Sequence, residues 1–343
     1  MGFRTSKGLE EQVIVITGAS SGIGLCTARM AAEAGAAVVM AARHPEVESL
    51  ARELRERGSR AEGVIADVSR EEDIRRIAEL AVARFGGIDT WINNAGTAVY
   101  GRAMGVPIDA ARALFETNFW GVVYGSRAAV AHMCERGGTL INVGSIESDR
   151  AAPLQSLYAA SKHAVKAFTD ALRMELDHDR IPVQVTLLKP AAIDTPFFAH
   201  AESYAGMGAP KPPPPVYAPE VVARALLDCA RRPCREVTVG GAGRAQVVAA
   251  RLMPGLADRL LARGMFESQF REAPHDARVR GAGEAHGDHD GPVLSRSAFA
   301  RARTGRAMPW LAFGALALLA GAWARRWRTR APRPRMTLPV RRG

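Results

Sequence analysis

Val13-Ile14-Val15-Ile16-Thr17-Gly18-Ala19-Ser20-Ser21-Gly22-Ile23-Gly24 is the stretch on which the reading of this chain turns. Val13 to Thr17 is a β-branched run of buried-strand type. It passes without a linker into a glycine-rich turn, and then into the helical spacing of Leu25 to Glu33. An anion-binding turn requires that order. Glycines without Cβ permit a tight turn and close approach of a ligand, and the free N–H groups at the helix start face the anion. Ordinary turns also gather glycines, so it is the setting, at the head of a βαβ unit, that points to a dinucleotide pyrophosphate.

Further strand-like runs occur at Ala37 to Met40, Gly63 to Ala66, Thr90 to Ile92, Thr139 to Val143, Val183 to Leu188 and Glu236 to Val239. Between them lie helical segments such as Glu46 to Arg57, Glu71 to Phe85 and Leu157 to Leu176. The alternation implies an α/β fold with a doubly wound parallel sheet covered on both faces, a Rossmann fold. The expected organisation is an N-terminal arm over 1–11, one catalytic domain over 12–262, a polar linker over 263–306, an apolar helix over 307–324 and a basic tail over 325–343. Pro196 to Pro219, with Pro212 to Pro215 inside it, is no helix or central strand and suits a lid or substrate loop. Gln246 to Ala262 reads as one helix broken near Pro254 and Gly255. In the linker, His286, Asp288, His289 and Asp290 have metal-ligating side chains but no framework to fix their geometry, so a solvated linker and no metal is the expectation.

The 343 residues carry a formal net charge of +11, which invites a nucleic-acid reading. The distribution removes it: Gly291 to Gly343 holds 12 Arg and no Lys, Asp or Glu, and the remainder is close to neutral. Those arginines flank an uncharged stretch, Ala307 to Ala324, rather than a recognition fold, so no nucleic-acid partner is expected. Its 18 residues would reach about 27 Å as a helix, at the short edge of a membrane span. Trp310 near one end, with Trp323 and Trp327 near the other, resemble interfacial anchors. A C-terminal span is the expectation, set against a helix lying on the membrane surface or packing on a partner. The heavier arginine count after the stretch favours a cytoplasmic C-terminus, whereas an intracellular reductant pool favours a cytoplasmic catalytic domain. One span cannot satisfy both, which keeps electrostatic attachment to anionic lipids beside the span. Met1-Gly2-Phe3-Arg4-Thr5-Ser6 also fits an N-myristoylation pattern. The start of the chain has no apolar signal-peptide core, and the four cysteines (Cys26, Cys134, Cys229, Cys234) include no CxxC pair, which suits a reducing compartment.

The chemistry is concentrated at two places. The second strand ends Met40-Ala41-Ala42-Arg43, with no carboxylate to accept the ribose 2′-hydroxyl and a guanidinium able to hold a phosphate there. NADP(H) is therefore expected in preference to NAD(H), the lesser alternative being that Arg43 only caps a strand end. Tyr158 and Lys162 are four apart in a helical segment and share a face. A nearby ammonium favours phenolate and brings a tyrosine into the range of acid/base work. Ser145 ends the preceding strand, at the carboxyl edge where such sheets bind ligands, and can hydrogen-bond a carbonyl oxygen. Asn118 is a candidate organiser of the proton path.

With these residues in view, the chain resembles the short-chain dehydrogenase/reductase family over about Gln12 to Gly240. Thr17, Gly18, Gly22 and Gly24 match its TGxxxGxG loop, in which Ser20, Ser21 and Ile23 are the intervening cofactor contacts. Asp67-Val68 matches the adenine pocket, and Asn93-Asn94-Ala95-Gly96 the fourth-strand NNAG. Asn118, Ser145, Tyr158 and Lys162 match the catalytic tetrad, and Pro190, Ile193 and Thr195 fall at the nicotinamide end. Pro190-Ala191 departs from the usual Pro-Gly, placing a methyl that is expected to face the nicotinamide. The resemblance implies hydride transfer between the nicotinamide and a carbonyl carbon. Tyr158 would protonate the alkoxide, Ser145 would hold the oxygen, Lys162 would bind the ribose and bias Tyr158 toward phenolate, and Asn118 would place a water beside Lys162.

The substrate is read as a small-molecule ketone or secondary alcohol. Phe197, Phe198, Tyr204, Met207 and Tyr217 fit an apolar pocket for a bulky or lipid-like carbonyl, or equally packing or a homo-oligomer contact. The leading expectation is a membrane-associated NADP(H)-dependent oxidoreductase with its catalytic domain in the cytoplasm. A non-catalytic NADP(H) sensor or scaffold on the same fold is the alternative.

Overall fold

Side chains of the first strand divide between two cores, as a strand buried on both faces requires. Ile14 and Ile16 point into one cluster and Val13 and Val15 into the other. The computed structural model describes residues 7–271, 282–289 and 291–297. In it Val13–Thr17 (β1), Ala37–Ala42 (β2), Arg60–Ile65 (β3), Thr90–Asn93 (β4), Gly138–Val143 (β5), Val183–Pro190 (β6) and Glu236–Val239 (β7) form one sheet. The order is β7-β6-β5-β4-β1-β2-β3, with every adjacent pair parallel. Successive strands leave β1 in opposite directions, β2 on one side and β4 on the other. This creates the crevice at the strand carboxyl ends where ligands bind in doubly wound sheets.

Helices Gly22–Glu33 (α1), Glu46–Glu56 (α2) and Pro219–Arg231 (α7) supply Leu25, Leu50 and Val222 to one core. Glu71–Phe85 (α3) and Gly121–Met133 (α5) supply Ile77 and Met133 to the other, and Ser156–His178 (α6) adds Leu176. Before α5 the chain forms Ile108–Phe115 (α4) and then a π-helical turn, Glu116–Trp120. The helix expected between Gln246 and Ala262 is two helices, Gly241–Leu252 (α8) and Pro254–Ser268 (α9). Pro254 lacks the N–H that would continue the first, and its fixed φ suits the start of the second. The Pro-rich stretch contains a 3-10 turn, Pro196–Phe198, and two two-residue strands, Glu202–Ser203 and Val216–Tyr217.

Residues 282–297 differ from the solvated linker that their composition suggests. Val293–Leu294 pairs in parallel with Val216–Tyr217, and Gly240 N–H donates to Ser297 Oγ at 3.2 Å. Gly22 N–H donates to Glu284 O at 2.9 Å, and Gly283 N–H to Ser20 O at 2.7 Å. His286 Nε2 lies 2.7 Å from Glu220 Oε1, and Arg271 donates to Asp288 Oδ1 at 2.6 Å, so these polar residues are paired within the fold. Among the described residues no cluster of three or more His, Cys, Asp or Glu could hold a metal. Asp290, the apolar stretch 307–324, the basic tail and Met1 to Ser6 lie outside the described residues. Among the described residues no helix is long and apolar enough to cross a membrane.

Candidate active site

The glycine loop between β1 and α1 is built by backbone approach. Gly18 has φ +66°, and a Cβ there would stand 2.8 Å from Ala95 Cα. A Cβ at Gly24 would stand 2.1 Å from Gly18 O, closer than any real side chain tolerates. Asn94 ties the loop to the end of β4: its Nδ2 donates to Thr17 O at 2.9 Å and to Gly18 O at 3.2 Å. Thr17 Oγ1 in return accepts from Asn94 N–H at 3.0 Å and Ala95 N–H at 3.1 Å. Asn93 instead turns inward, where Trp91 Nε1–H and Asn93 Nδ2–H extend a buried chain to Asn142 Oδ1 and on to Thr169.

A cavity of about 610 Å³ runs from this loop and the end of β2 to the end of β5 and the start of α6. Gly18, Ser20, Ser21, Gly22 and Ile23 line its first part, with Arg43 and Val68. Asn94, Ala95 and Gly96 form its floor; Pro190, Ile193 and Thr195 stand on the far wall. Ser145, Tyr158 and Lys162 complete it. The glycine cradle and the cavity's length fit a dinucleotide. Three expected site residues stand back from the lining. Gly24 is packed under the loop. Asp67 uses Oδ1 to accept from Ser69 N–H at 3.0 Å and Ser69 Oγ–H at 2.8 Å. Asn118 is fully buried behind Gly96.

Asn118 belongs to the π-helical turn, a local widening often found at functional sites. Its amide holds the loop after β4 at both ends: Thr97 N–H donates to Oδ1 at 2.8 Å, and Nδ2 donates to Thr97 O at 2.9 Å and Ser161 Oγ at 3.1 Å. A Cβ on Gly96 would lie 3.3 Å from Asn118 Oδ1 and 3.7 Å from Lys162 Nζ, so the glycine keeps these groups close. Lys162 Nζ donates to Val143 O at 3.0 Å. Ser145 caps the 3-10 turn Ile146–Ser148, its Oγ accepting from Glu147 N–H at 3.1 Å, and its hydroxyl is hydrogen-bonded to that of Tyr158.

Burial governs the protonation of these groups. It pushes the Tyr158 phenol well above its ordinary range, the nearby Glu147 carboxyl adds to the rise, and the Ser145 hydrogen bond opposes it. Burial also pushes Lys162 down to about 8. Lys162 Nζ sits 5.9 Å from the Tyr158 ring centroid and gives one of its N–H donors to Val143 O. Ala191 lines the cavity with Pro190 and Ile193. Its methyl packs toward Gly240 and Gly243, where an added Cβ would lie 2.4 Å and 3.2 Å from it.

Of the five apolar loop residues, Phe197 and Phe198 line the cavity, and Phe197 lies 6.0 Å from the Tyr158 ring. Tyr204 and Met207 are exposed, and Tyr217 is buried in the core. Sequence reasoning passed over Glu147, Gln155 and Tyr100, which also line the cavity.

A Rossmann sheet with a dinucleotide cradle and a buried Ser–Tyr–Lys cluster at its carboxyl edge defines a nicotinamide-dependent oxidoreductase acting on CH–OH or C=O groups. The model of the short chain dehydrogenase family matches residues 12–205, and the chain belongs to that family. It is 49% identical over 279 residues, 80% of this chain and 78% of the relative, to the uncharacterized oxidoreductase YxnA of Bacillus subtilis. It is 37% identical over 193 residues, 55% of this chain and 54% of the relative, to 11-beta-hydroxysteroid dehydrogenase 1A of Arabidopsis thaliana. Among solved structures, an alcohol dehydrogenase from Thermococcus sibiricus complexed with 5-hydroxy-NADP superposes with a TM-score of 0.59 at 28% identity, over 66% of this chain and 95% of that one.

Proposed function

We propose that this protein is an NADP(H)-dependent carbonyl reductase for bulky, largely apolar ketones, attached to membranes through its C-terminal tail. The observation that carries the catalytic reading is the Tyr158 phenol, buried, bonded to Ser145 and held in its protonated form. A phenol that keeps its proton is an acid, the form reduction needs. Ser145 Oγ accepts from the Glu147 N–H, and a bound carbonyl oxygen would take over the proton that the hydroxyl otherwise shares with Tyr158. Tyr158 O–H delivers its proton to that oxygen as negative charge develops. Lys162, fixed by Val143 O, would hold the ribose hydroxyls. Asn118 keeps Thr97 and Gly96 in place under that ribose. When bound, the cofactor supplies the hydride.

Arg43 supports the choice of cofactor. It is exposed at the cavity rim and follows Ala42, so the end of β2 offers a guanidinium and no carboxylate to a 2′-phosphate. The relative that carries a 5-hydroxy-NADP in its structure agrees with this choice. Phe197 and Phe198 beside Tyr158, and the relatives called hydroxysteroid dehydrogenases, support an apolar substrate. A cofactor-sensing scaffold is the reading that a catalytically silent protein would favour.

A panel of ketones assayed with both reduced cofactors tests the proposal. NADPH is expected to give the higher kcat/KM, and Arg43→Asp to reverse the order, because a carboxylate repels the phosphate and accepts from a ribose hydroxyl. No reduction of any ketone would favour the scaffold.

A further inference from the structure

Glu147 has no role in the chemistry just described, yet it is the most unusual side chain in the cavity. It stands in the 3-10 turn Ile146–Ser148, two residues after Ser145, and lines the cavity with Tyr100, Gln155 and Tyr158. Only 9% of the residue is exposed. The carboxyl accepts one hydrogen bond, from Ala152 N–H, while Oε2 has no partner among the described residues. No Lys, Arg or His among the described residues pairs with it. A buried carboxyl oxygen without a partner is costly, and a fold needing only volume there would be served by an apolar side chain. It stands close enough to both phenols that its charge pushes Tyr100 and Tyr158 up.

We infer that Glu147 recognises a hydroxyl group on the substrate, so that the ketone reduced at Ser145 and Tyr158 is a hydroxyketone whose second oxygen lies near the carbonyl. The inference rests on the carbonyl-reductase reading above. The terminal torsion of a glutamate is broad and two-fold, so Oε2 can swing toward the cavity while the other oxygen keeps Ala152. Burial pushes the carboxyl up to about 8, making it a neutral acid at pH 7 that can both donate and accept. A hydroxyl does the same, and the pair satisfies both partners. An ammonium group would need the ionised form, and a substrate carboxylate could only accept, so that it makes one of the two hydrogen bonds a hydroxyl makes.

The test compares 2-hydroxyacetophenone with acetophenone, using the full chain and NADPH. The wild type is expected to favour the hydroxyketone in kcat/KM by about tenfold or more, since a site built around a polar group rejects the analogue that lacks its partner. In Glu147→Leu the ratio is expected to collapse toward one, while Glu147→Gln, neutral and still able to donate and accept, keeps most of it. A second arm measures binding by calorimetry: 1-phenyl-1,2-ethanediol and 1-phenylethanol are titrated into protein saturated with NADP+, with the diol expected to bind more tightly only while residue 147 is polar. Equal ratios for wild type and Glu147→Leu, or no preference in the wild type, overturn the inference and leave the reductase standing. Silence toward both ketones overturns the reductase reading, and the diol titration then decides Glu147 on its own. Tighter binding of 2-aminoacetophenone than of the hydroxyketone at pH 7 overturns the neutral-hydroxyl assignment.

Discussion

Burial fixes the working forms of Tyr158 and Lys162, because both side chains are drawn out of water at the start of α6. Tyr158→Phe removes the phenolic proton donor beside Ser145 and leaves the ring. Turnover is expected to fall by about a hundredfold to ten-thousandfold, with NADPH affinity kept within twofold when measured by nicotinamide fluorescence; unchanged turnover would end the assignment. Glu147 makes a separate pH prediction. Its carboxyl rises from 4.5 to about 8 on folding, so the unfolded chain releases that proton first as pH rises. Stability therefore falls across that interval. Glu147→Gln does not titrate, and its melting temperature should exceed that of the wild type by a margin that widens from pH 5 to pH 8. A constant margin would show that Glu147 titrates normally. Tyr158, Lys162 and Ser145 were legible in sequence because their spacing is tied to a helix face and a strand end. Glu147 was not, since nothing in a sequence says which way a side chain after a strand end will turn.

At the scale of elements, continuous β-branched runs in the strands and 3.6-residue spacing in the helices made the sheet readable, for the first marks a strand buried on both faces and the second a helix buried on one. The segment 282–297 escaped because its contacts with the glycine loop and the end of β7 are made to backbone atoms, and its side-chain partners Glu220 and Arg271 lie far off in sequence. Gly22 N–H, Ser20 O and Gly240 N–H leave no trace in the residues that meet them. Its composition is that of a linker, but its place is across the rim of the cofactor cavity, with Ala282 in the lining. Gly287 is its tightest point: a Cβ there would stand 2.5 Å from Asp194 Oδ1 and 2.9 Å from Thr195 O. Gly287→Val should push the segment off the loop after β6 and break the contacts at Ser20 and Gly22. Loss of one or two net hydrogen bonds, about 1 kcal/mol each, corresponds to a rise in NADPH Kd of roughly fivefold to thirtyfold. Fluorescence titration measures it, and an unchanged Kd would mean that the segment rests on the loop without supporting the cofactor site.

Across the whole molecule, charge is distributed between two regions of different character. The net charge of +11 comes from the arginines beyond Gly291, while the described body is close to neutral and carries the catalytic cavity. Twelve arginines around the uncharged stretch Ala307 to Ala324 are suited to anionic lipid, each contributing about 1 kcal/mol near such a surface. The cavity, by contrast, draws every lining residue from 18–282. Ending the chain after Arg303 keeps the Ser297 contact with Gly240 and the pairing of Val293–Leu294. The shortened protein should therefore reduce a water-soluble ketone with kcat/KM within twofold of the full chain. Sedimentation with vesicles containing phosphatidylserine should separate the two: the full chain pellets and the shortened one stays in solution. Salt then distinguishes the modes of attachment, because screening at 1 M reduces the Debye length to about 3 Å. Release by salt marks a surface-lying helix held by arginine, retention marks an inserted apolar segment, and pelleting of the shortened protein to the same extent would place the membrane contact on the catalytic body instead.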